Sequence, residues 1–292
     1  MKIIKKVTRQ VPQIDCYNDV NYYQSLQPQA DVKLQMSLLI PRTEALKPAV
    51  LYFPGGGFTA ANYQKYLQQR LALAQAGYVV AAAEYRVVPT PFPNIVYDAK
   101  HAIAFLTRHA KEFGIDPQRI GVLGDSAGGY LAQFLATTCG SKTFLPADVK
   151  PEETQVAAAC SVYGFCDLLT IGQGLNQAFH QSTTATEALL VNGVSYLVDH
   201  AAAIGADPEK AKAASPITYV SSDTPPFLVM HGTNDHDVSS YQAEELVTAL
   251  KKQGISVTQI MVENAGHGTW EWYQPEIITQ IVNWFQQTLP SF

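Results

Sequence analysis

Residues 124–128 of this 292-residue sequence read Gly-Asp-Ser-Ala-Gly, an arrangement that can make a serine a nucleophile. A serine held on a sharp turn between a strand and a helix needs very small neighbours, because larger side chains would collide there. A predicted strand, Ile120 to Leu123, ends just before this stretch, and a predicted helix from about Ala127 to Cys139 follows it. The N-terminus of such a helix favours negative charge beside Ser126. We therefore predict that Ser126 is a nucleophile.

A serine nucleophile needs a base whose pKa lies near neutrality, and histidine supplies one. His267 stands between Gly266 and Gly268, in a loop just after the last predicted strand. Loops at the carboxyl ends of parallel strands gather around one site. We therefore predict that His267 is the base that activates the serine.

The other histidines fit less well. Four of them lie in segments predicted to be helical, where surface or packing roles are expected: His101, His109, His180 and His200. His231 ends a buried strand, so we interpret it as a core imidazole with its hydrogen bonds satisfied.

The base needs a carboxylate to orient it, and the loop after the strand Phe227 to His231 offers two, Asp235 and Asp237. Asp235 is our prediction, and Asp237 stays open as its rival, because the sequence does not fix which of two nearby loop positions reaches the imidazole. One of the two carboxylates can instead cap the helix near Tyr241. The resulting chain order of serine, aspartate and histidine is that of α/β-hydrolases and differs from the two common serine-protease orders.

Residues 54–58 read Pro-Gly-Gly-Gly-Phe and directly follow a predicted strand, Ala49 to Phe53. Consecutive glycines let the backbone approach a ligand and direct N–H groups into a site. We expect the second half of an oxyanion-binding site here, with a flexible turn as the alternative. A phosphate-binding loop is disfavoured, because no Gly-Lys-Ser or Gly-Lys-Thr follows.

The elements that must position these residues alternate between short apolar runs and longer helical ones. This alternation predicts an α/β fold with a mostly parallel central sheet and helices on both faces. Further strands are predicted at Tyr78–Ala83, Val156–Tyr163 and Val257–Val262, and further helices at Tyr63–Ala76, Tyr97–Phe113, Tyr241–Lys252 and Pro275–Leu289. Val32–Ile40 and Val20–Tyr23 suit an antiparallel edge hairpin, and residues 1–6 are predicted to be a first strand.

One stretch, from about residue 167 to 215, contains no convincing strand pattern. Its composition predicts helices that are interrupted by glycines. Long excursions between core strands are usually lids or binding elements. We expect one α/β-hydrolase domain over residues 1–292 with a small helical cap inserted at about 167–215, the alternative being an ordinary pair of core helices.

With these motifs in hand, the chain resembles α/β-hydrolase esterases of the hormone-sensitive-lipase and feruloyl or acetyl-xylan esterase kind. The resemblance extends from about Val32 to the C-terminus and is carried by Glu84-Tyr85-Arg86, the Gly114 to Ile120 run, Gly124 to Gly129, Ala214-Ser215-Pro216, His231 to Val238 and Gly266-His267-Gly268. It implies a cofactor-free carboxylesterase whose oxyanion is met by backbone N–H groups of Gly56, Gly57 and Ala127. The chain departs from the family at Pro54, where those esterases usually have a histidine that braces the glycine loop.

Composition narrows the remaining choices. A net charge of −5 and the lack of any long Lys or Arg run argue against nucleic acid as a partner. No apolar stretch approaches the roughly 20 residues needed to span a bilayer, and no signal-peptide pattern is present, so a cytoplasmic protein without a membrane partner is expected. The four cysteines form no Cys-x-x-Cys clip, and no metal motif appears, so neither a metal nor another cofactor is expected.

These observations predict a serine carboxylesterase that hydrolyses short-chain acyl esters through an acyl-enzyme, with acetylated or feruloylated carbohydrates as candidate substrates. Phe58, Tyr63 and Phe165 are the predicted lining of an acyl pocket, and core packing is their alternative role. The expected partner is a small-molecule ester, with a homodimer left open. Two other functions stay open: an arylformamidase-like or peptidase-like amide hydrolase, and a non-catalytic binding protein with a hydrolase fold.

Overall fold

The computed structural model describes residues 2–8, 10–26, 31–175, 177–198 and 201–290. The strands in these residues are β1 (Ile14–Leu26), β2 (Asp31–Pro41), β3 (Lys47–Phe53), β4 (Val79–Ala83), β5 (Ile115–Asp125), β6 (Ala158–Val162), β7 (Phe227–Gly232) and β8 (Val257–Val262). They form a single sheet in the order β1-β2-β4-β3-β5-β6-β7-β8. β2 pairs antiparallel with β1 and β4, whereas all other neighbours are parallel. The predicted α/β class and the predicted edge hairpin are thereby confirmed.

Helices cover both faces of this sheet. In the described residues they are α1 (Leu67–Gln75), α2 (Asn94–Arg108), α3 (Ala110–Phe113), α4 (Ala127–Thr137), α5 (Gln177–His180), α6 (Thr186–Asn192), α7 (Pro208–Ala213), α8 (Tyr241–Lys252) and α9 (Pro275–Thr288). α1 and α9 pack together on one face, and α2, α4 and α8 contribute to the core on the other. None of the helices in the described ranges has the length and apolar character needed to cross a lipid bilayer.

β3 shows why the sequence requires two covered faces. Its side chains alternate between two separate cores, as the two-residue period of a strand dictates. Leu51 and Phe53 belong to the core beneath α2 and α4, whereas Val50 and Tyr52 belong to the core beneath α1 and α9. Every residue of β3 is buried, which is typical of a central parallel strand.

The prediction of a strand at residues 1–6 is wrong. Residues 2–8 take no regular structure and are exposed, and the first strand begins only at Ile14. Ile3 and Ile4 are 66% and 83% exposed, so their apolar side chains do not face the core. Residue 1 lies outside the described residues.

α1 begins four residues later than predicted, at Leu67 instead of Tyr63. Tyr66 has a φ of 56°, and this left-handed backbone cannot continue into an α-helix from the preceding residues. The loop between β3 and α1 carries the glycines of the candidate site. The predicted helix at Tyr97–Phe113 is also altered, since it starts at Asn94 and is interrupted at His109 between α2 and α3.

Residues 167–215, which we call the insertion, lie between β6 and β7. Their described part contains α5, α6, α7 and a short 3-10 helix at Ile204–Ala206, and no strand. The helical content predicted for this stretch is present, and its role as a cap is taken up below.

Candidate active site

Ser126 lies on a tight turn where β5 ends and α4 begins. Its φ of 53° and ψ of −122° are strained for a residue with a side chain, and such strain is common at functional positions. A Cβ atom at Gly124 would lie 2.0 Å from the Gly128 carbonyl oxygen, and one at Gly128 would lie 2.0 Å from the Phe53 carbonyl oxygen. Only glycine fits at either position, so the spacing recognised in the sequence has a steric cause.

His267 faces Ser126 directly. The serine Oγ and the imidazole Nε2 are 2.7 Å apart, a hydrogen-bond distance between residues 141 positions apart in the chain. The ring packs edge to face against Tyr163 at 4.8 Å, and the Trp272 indole donates a hydrogen bond to the Gly266 carbonyl oxygen at 2.8 Å. Gly268 has a φ of 65°, so the loop turns just after the imidazole by using a conformation that glycine adopts freely.

Asp235 holds the other side of the imidazole. Its Oδ2 lies 2.8 Å from Nδ1 of His267, and its Oδ1 accepts hydrogen bonds from the N–H groups of Asp237 and Val238, each at 2.9 Å. Burial opposes ionisation, but hydrogen bonds from His231 and His267 and from the Val238 backbone outweigh it and lower the pKa of Asp235 far below its usual range. An ionised carboxylate only accepts hydrogen bonds, so Nδ1 carries the hydrogen and Nε2 is free to accept from Ser126.

Of the two candidate carboxylates, the structure brings Asp235 to the imidazole. Its side chain is fully buried, whereas Asp237 is exposed and contributes its backbone N–H to the Asp235 carboxylate. Gly232 permits this meeting of loops, because a Cβ there would lie 2.1 Å from the Ala265 carbonyl oxygen.

His231 is buried as predicted, but its hydrogen bonding is incomplete. Nε2 donates to the Val238 carbonyl oxygen at 2.9 Å and lies 3.4 Å from Oδ2 of Asp235. Nδ1 is buried and has no partner in the described part of the chain, so the expected hydrogen bonding is found for one of the two ring nitrogens. The ring braces the loop that carries Asp235.

Four of the remaining histidines are those that the sequence placed in predicted helices. His101 is buried against Asp148 and stacks on Tyr23, and His109 pairs with Glu112 at the surface. His200 lies outside the described residues. His180 is buried in the insertion and, contrary to a purely packing role, lines a cavity that contains Ser126.

The three backbone groups suggested for the oxyanion are close to Ser126. Ala127 is the first residue of α4, whose first N–H groups have no partner within the helix. Gly57, with a φ of 56°, and Gly56 line cavities that Ser126 shares. The Gly56 carbonyl oxygen accepts hydrogen bonds from the N–H groups of Thr59 and Ala60, which folds the loop back on itself.

The loop is braced without a histidine at position 54. Tyr85 donates its hydroxyl hydrogen bond to the Pro54 carbonyl oxygen at 2.8 Å, and the Gly55 N–H donates to Oδ1 of Asp125 at 2.9 Å. Lys65 Nζ lies 3.2 Å from the Gly55 carbonyl oxygen and 3.4 Å from Oδ2 of Asp125.

These bracing residues were missed in the sequence. The available signal was the absence of an imidazole at Pro54, which requires another group to hold the loop, together with a carboxylate directly beside Ser126. Asp125 is 2% exposed and also accepts a hydrogen bond from the Tyr52 hydroxyl at 2.7 Å.

Two cavities meet at Ser126 and His267. The first measures about 400 Å³ and is mainly apolar. Phe58 and Phe165, both predicted to contact substrate, line it, together with insertion residues Ile171, Leu175, Phe179, His180, Thr186 and Glu187. The second measures about 350 Å³ and is more polar, with Lys65, Tyr163 and Tyr273 in its wall.

Tyr63, the third residue predicted to contact substrate, lines neither cavity. Its hydroxyl donates to Oδ1 of Asp19 at 2.8 Å and so ties the loop before α1 to the edge hairpin. Of the two roles open to Tyr63, substrate contact and packing, this contact favours packing, since a buried tyrosine usually finds a partner for its hydroxyl.

Two further observations concern metals and thiols. Among the described residues, no group of three His, Cys, Asp or Glu side chains is arranged to hold a metal ion. The four cysteines are free thiols: Cys16, Cys139, Cys160 and Cys166.

Comparison with known proteins gives a consistent picture. The family model BD-FAE matches residues 36–250. The probable carboxylic ester hydrolase LipM of Mycobacterium tuberculosis is 30% identical over 210 residues, which is 70% of this chain and 45% of that protein. The chain thus spans about half the length of the curated relatives it matches.

Solved structures share the fold across nearly the whole chain. A truncated carbohydrate esterase from gut microbiota is 23% identical and has a TM-score of 0.77, with 97% of this chain and 99% of that chain covered. An acetyl ester-xyloside bifunctional hydrolase from Caldicellulosiruptor lactoaceticus is 24% identical and has a TM-score of 0.75, with 96% and 98% covered. The predicted α/β-hydrolase fold is confirmed.

Proposed function

The chain belongs to the BD-FAE family, and from this premise we propose that it is a carboxylesterase that uses Ser126, His267 and Asp235 as a catalytic triad. The observation that carries the proposal is the unbroken pair of hydrogen bonds, 2.7 Å from Ser126 to His267 and 2.8 Å from His267 to Asp235. Esterase names among relatives such as LipM support the reaction type.

The proposed reaction is a two-step acyl transfer. Nε2 of His267 takes the Ser126 proton as the serine oxygen attacks the ester carbonyl carbon, and Asp235 stabilises the imidazolium that forms. The oxyanion accepts hydrogen bonds from the N–H groups of Ala127 and of Gly56 or Gly57. The tetrahedral intermediate that carries this oxyanion then collapses and expels the alcohol, which receives the proton from His267. Water then repeats the sequence on the acyl-enzyme and releases the acid.

The two cavities fit the two parts of an ester. The apolar cavity, lined by Phe58 and Phe165, suits the acyl group, and the insertion that closes it acts as a cap. The more polar cavity with Lys65 and Tyr273 suits an alcohol that carries hydroxyl groups. The names of the structural neighbours, a carbohydrate esterase and an acetyl ester-xyloside hydrolase, agree with a short-chain ester of a carbohydrate as substrate.

Covalent labelling and turnover test the proposal together. A fluorophosphonate probe should label the purified protein and Ser222→Ala, a control at an exposed serine, but not Ser126→Ala. Ser126→Ala should also lose hydrolysis of p-nitrophenyl acetate. Labelling without ester turnover, but with turnover of an aryl formamide or peptide, would favour an amide hydrolase. The absence of both labelling and turnover would favour a binding protein.

Substrate preference needs a panel. Acetyl, butyryl, octanoyl and feruloyl esters, each with a simple alcohol and with a sugar alcohol, separate acyl from alcohol recognition. The highest kcat/KM is expected for acetyl or butyryl groups on the sugar. A preference for octanoyl esters of simple alcohols would contradict the assignment of the polar cavity.

A further inference from the structure

A buried pair in the insertion has no part in the chemistry described so far. Nδ1 of His180 lies 2.7 Å from Oε1 of Glu187, and the two side chains are only 8% and 4% exposed. The pair joins α5 to α6. Both residues line the apolar cavity that contains Ser126.

Burial of an ionisable pair costs free energy that an apolar pair of similar size would avoid. A purely structural link between two short helices therefore does not require a carboxylate and an imidazole here. Lining residues such as Ile171, Leu175 and Phe179 are apolar, so the pair stands out as a concentrated polar spot in this wall. Asp237 and His236 also line the cavity, but both are exposed to solvent, unlike the buried pair.

The pair also has hydrogen-bonding capacity to spare. Glu187 uses Oε1 for His180, and Oε2 has no hydrogen-bond partner in the described part of the chain. His180 likewise uses Nδ1 and keeps Nε2 without a partner there. A carboxylate oxygen at the wall of an apolar cavity is matched by a hydroxyl donor on an otherwise apolar group.

We propose that His180 and Glu187 form a subsite for a hydroxyl group carried by the acyl part of the substrate, so that the cavity selects hydroxyacyl esters over their deoxy counterparts. This inference rests on the proposed esterase function. The apolar wall contacts the body of the acyl group, and Glu187 Oε2 accepts the hydrogen bond of its hydroxyl. His180 holds the carboxylate in place.

Matched substrates test the subsite in the unmodified protein. Three pairs of p-nitrophenyl esters place the hydroxyl at different reach: hexanoate and 6-hydroxyhexanoate, octanoate and 8-hydroxyoctanoate, and 3-phenylpropanoate with 3-(4-hydroxyphenyl)propanoate. At least one pair should show kcat/KM roughly tenfold or more higher for the hydroxyl form, since a hydrogen bond to a charged acceptor is among the stronger ones. Equal or lower values for the hydroxyl form in all three pairs would overturn the proposal.

Variants then locate the preference. Glu187→Met removes the acceptor and should bring the preferred pair to a ratio near one, and Glu187→Gln should give an intermediate ratio. Glu209→Gln, an exposed residue of the same insertion, should leave the ratio unchanged. A ratio that survives in folded Glu187→Met, verified by its thermal unfolding, would overturn the assignment to this residue.

The outcomes separate this inference from the function on which it rests. Turnover of all the deoxy esters with no hydroxyl preference rejects the subsite and leaves the esterase proposal standing. Absence of turnover for every ester, with no labelling of Ser126, rejects both.

Discussion

The Gly55 N–H donates a hydrogen bond to Oδ1 of Asp125, the residue immediately before Ser126, at 2.9 Å. The glycine loop proposed to bind the oxyanion is thus tied to the turn that presents Ser126. Tyr52 donates to the same Oδ1 at 2.7 Å, and Lys65 Nζ lies 3.4 Å from Oδ2.

Asp125→Asn should therefore reduce kcat while KM changes little. The amide places an NH2 group or a weaker acceptor where the carboxylate contacted Gly55 and Lys65. The glycine loop is then held less firmly, and its N–H groups are less well placed to stabilise the transition state. Loss of one oxyanion donor costs about 3 kcal/mol, and misplacement of the loop should cost part of this, on the order of tenfold to a hundredfold in kcat. Steady-state kinetics with p-nitrophenyl acetate provide the measurement. Asp223→Asn, at an exposed position, is the control, and an unchanged kcat in Asp125→Asn would show that the brace is dispensable.

The two candidate carboxylates make opposite predictions. Asp235→Asn should lower kcat by about 10⁴-fold, because an amide stabilises the wrong tautomer of His267 and cannot stabilise the imidazolium. Asp237→Asn should change kcat no more than a few fold, since only its backbone N–H contacts Asp235. Comparison of kcat for the two variants decides between them, and a larger loss in Asp237→Asn would reverse the assignment.

Steric requirements around the nucleophile predict a third result. A Cβ in Gly128→Ala would lie 2.0 Å from the Phe53 carbonyl oxygen and 2.6 Å from its carbon, a clash with backbone that cannot rotate away. The variant should lose more than about 4 kcal/mol of unfolding free energy or fail to fold. Gly205→Ala is a matched control, because no atom lies within 4 Å of a Cβ there. Urea unfolding of both variants checks this, and similar stabilities would contradict the close approach.

The sequence predicted the local structure well where short-range rules decide the outcome. Glycines mark the turn at Ser126, and a side chain at Gly124 or Gly128 would collide with backbone atoms. Beside His267, Gly268 has a φ of 65°, which glycine adopts freely. Strand and helix order also followed from alternation and from glycine stops, such as Gly114 with its φ of 65°. In these places, short-range sterics leave one solution.

Long-range partners could not be predicted in the same way. Tyr63 is an aromatic residue near the glycine loop, yet the position of Asp19, 44 residues earlier, takes its hydroxyl away from the site. Asp125 and Tyr85 brace the loop through contacts with residues 70 and 31 positions away. His180 and Glu187 pair within the insertion, but their place in the cavity depends on how the insertion packs over Ser126. No spacing rule encodes such distances.

A buried lysine predicts how stability changes with pH. Lys100 is fully buried, and its Nζ donates to the carbonyl oxygens of Thr138 and Thr143 at 2.9 and 2.7 Å. Burial lowers its pKa from 10.5 to about 8, against a smaller opposing effect of Cys139. Between these two pH values the unfolded chain keeps a proton that the folded chain has released, so the contribution of Lys100 to unfolding free energy rises with pH.

The rise should total about 3 kcal/mol between roughly pH 8 and pH 10.5, since one pKa unit corresponds to about 1.4 kcal/mol. Buried tyrosines with raised pKa values act in the opposite direction above pH 10, so the informative quantity is the difference between the protein and Lys100→Met at each pH. Urea unfolding from pH 7 to 10.5 should show that difference shift in favour of the unmodified protein as pH increases. The same comparison with Lys252→Met, at an exposed lysine, should give parallel curves. Parallel curves for Lys100→Met as well would mean that the buried amine keeps its proton throughout this range, held by the two carbonyl oxygens.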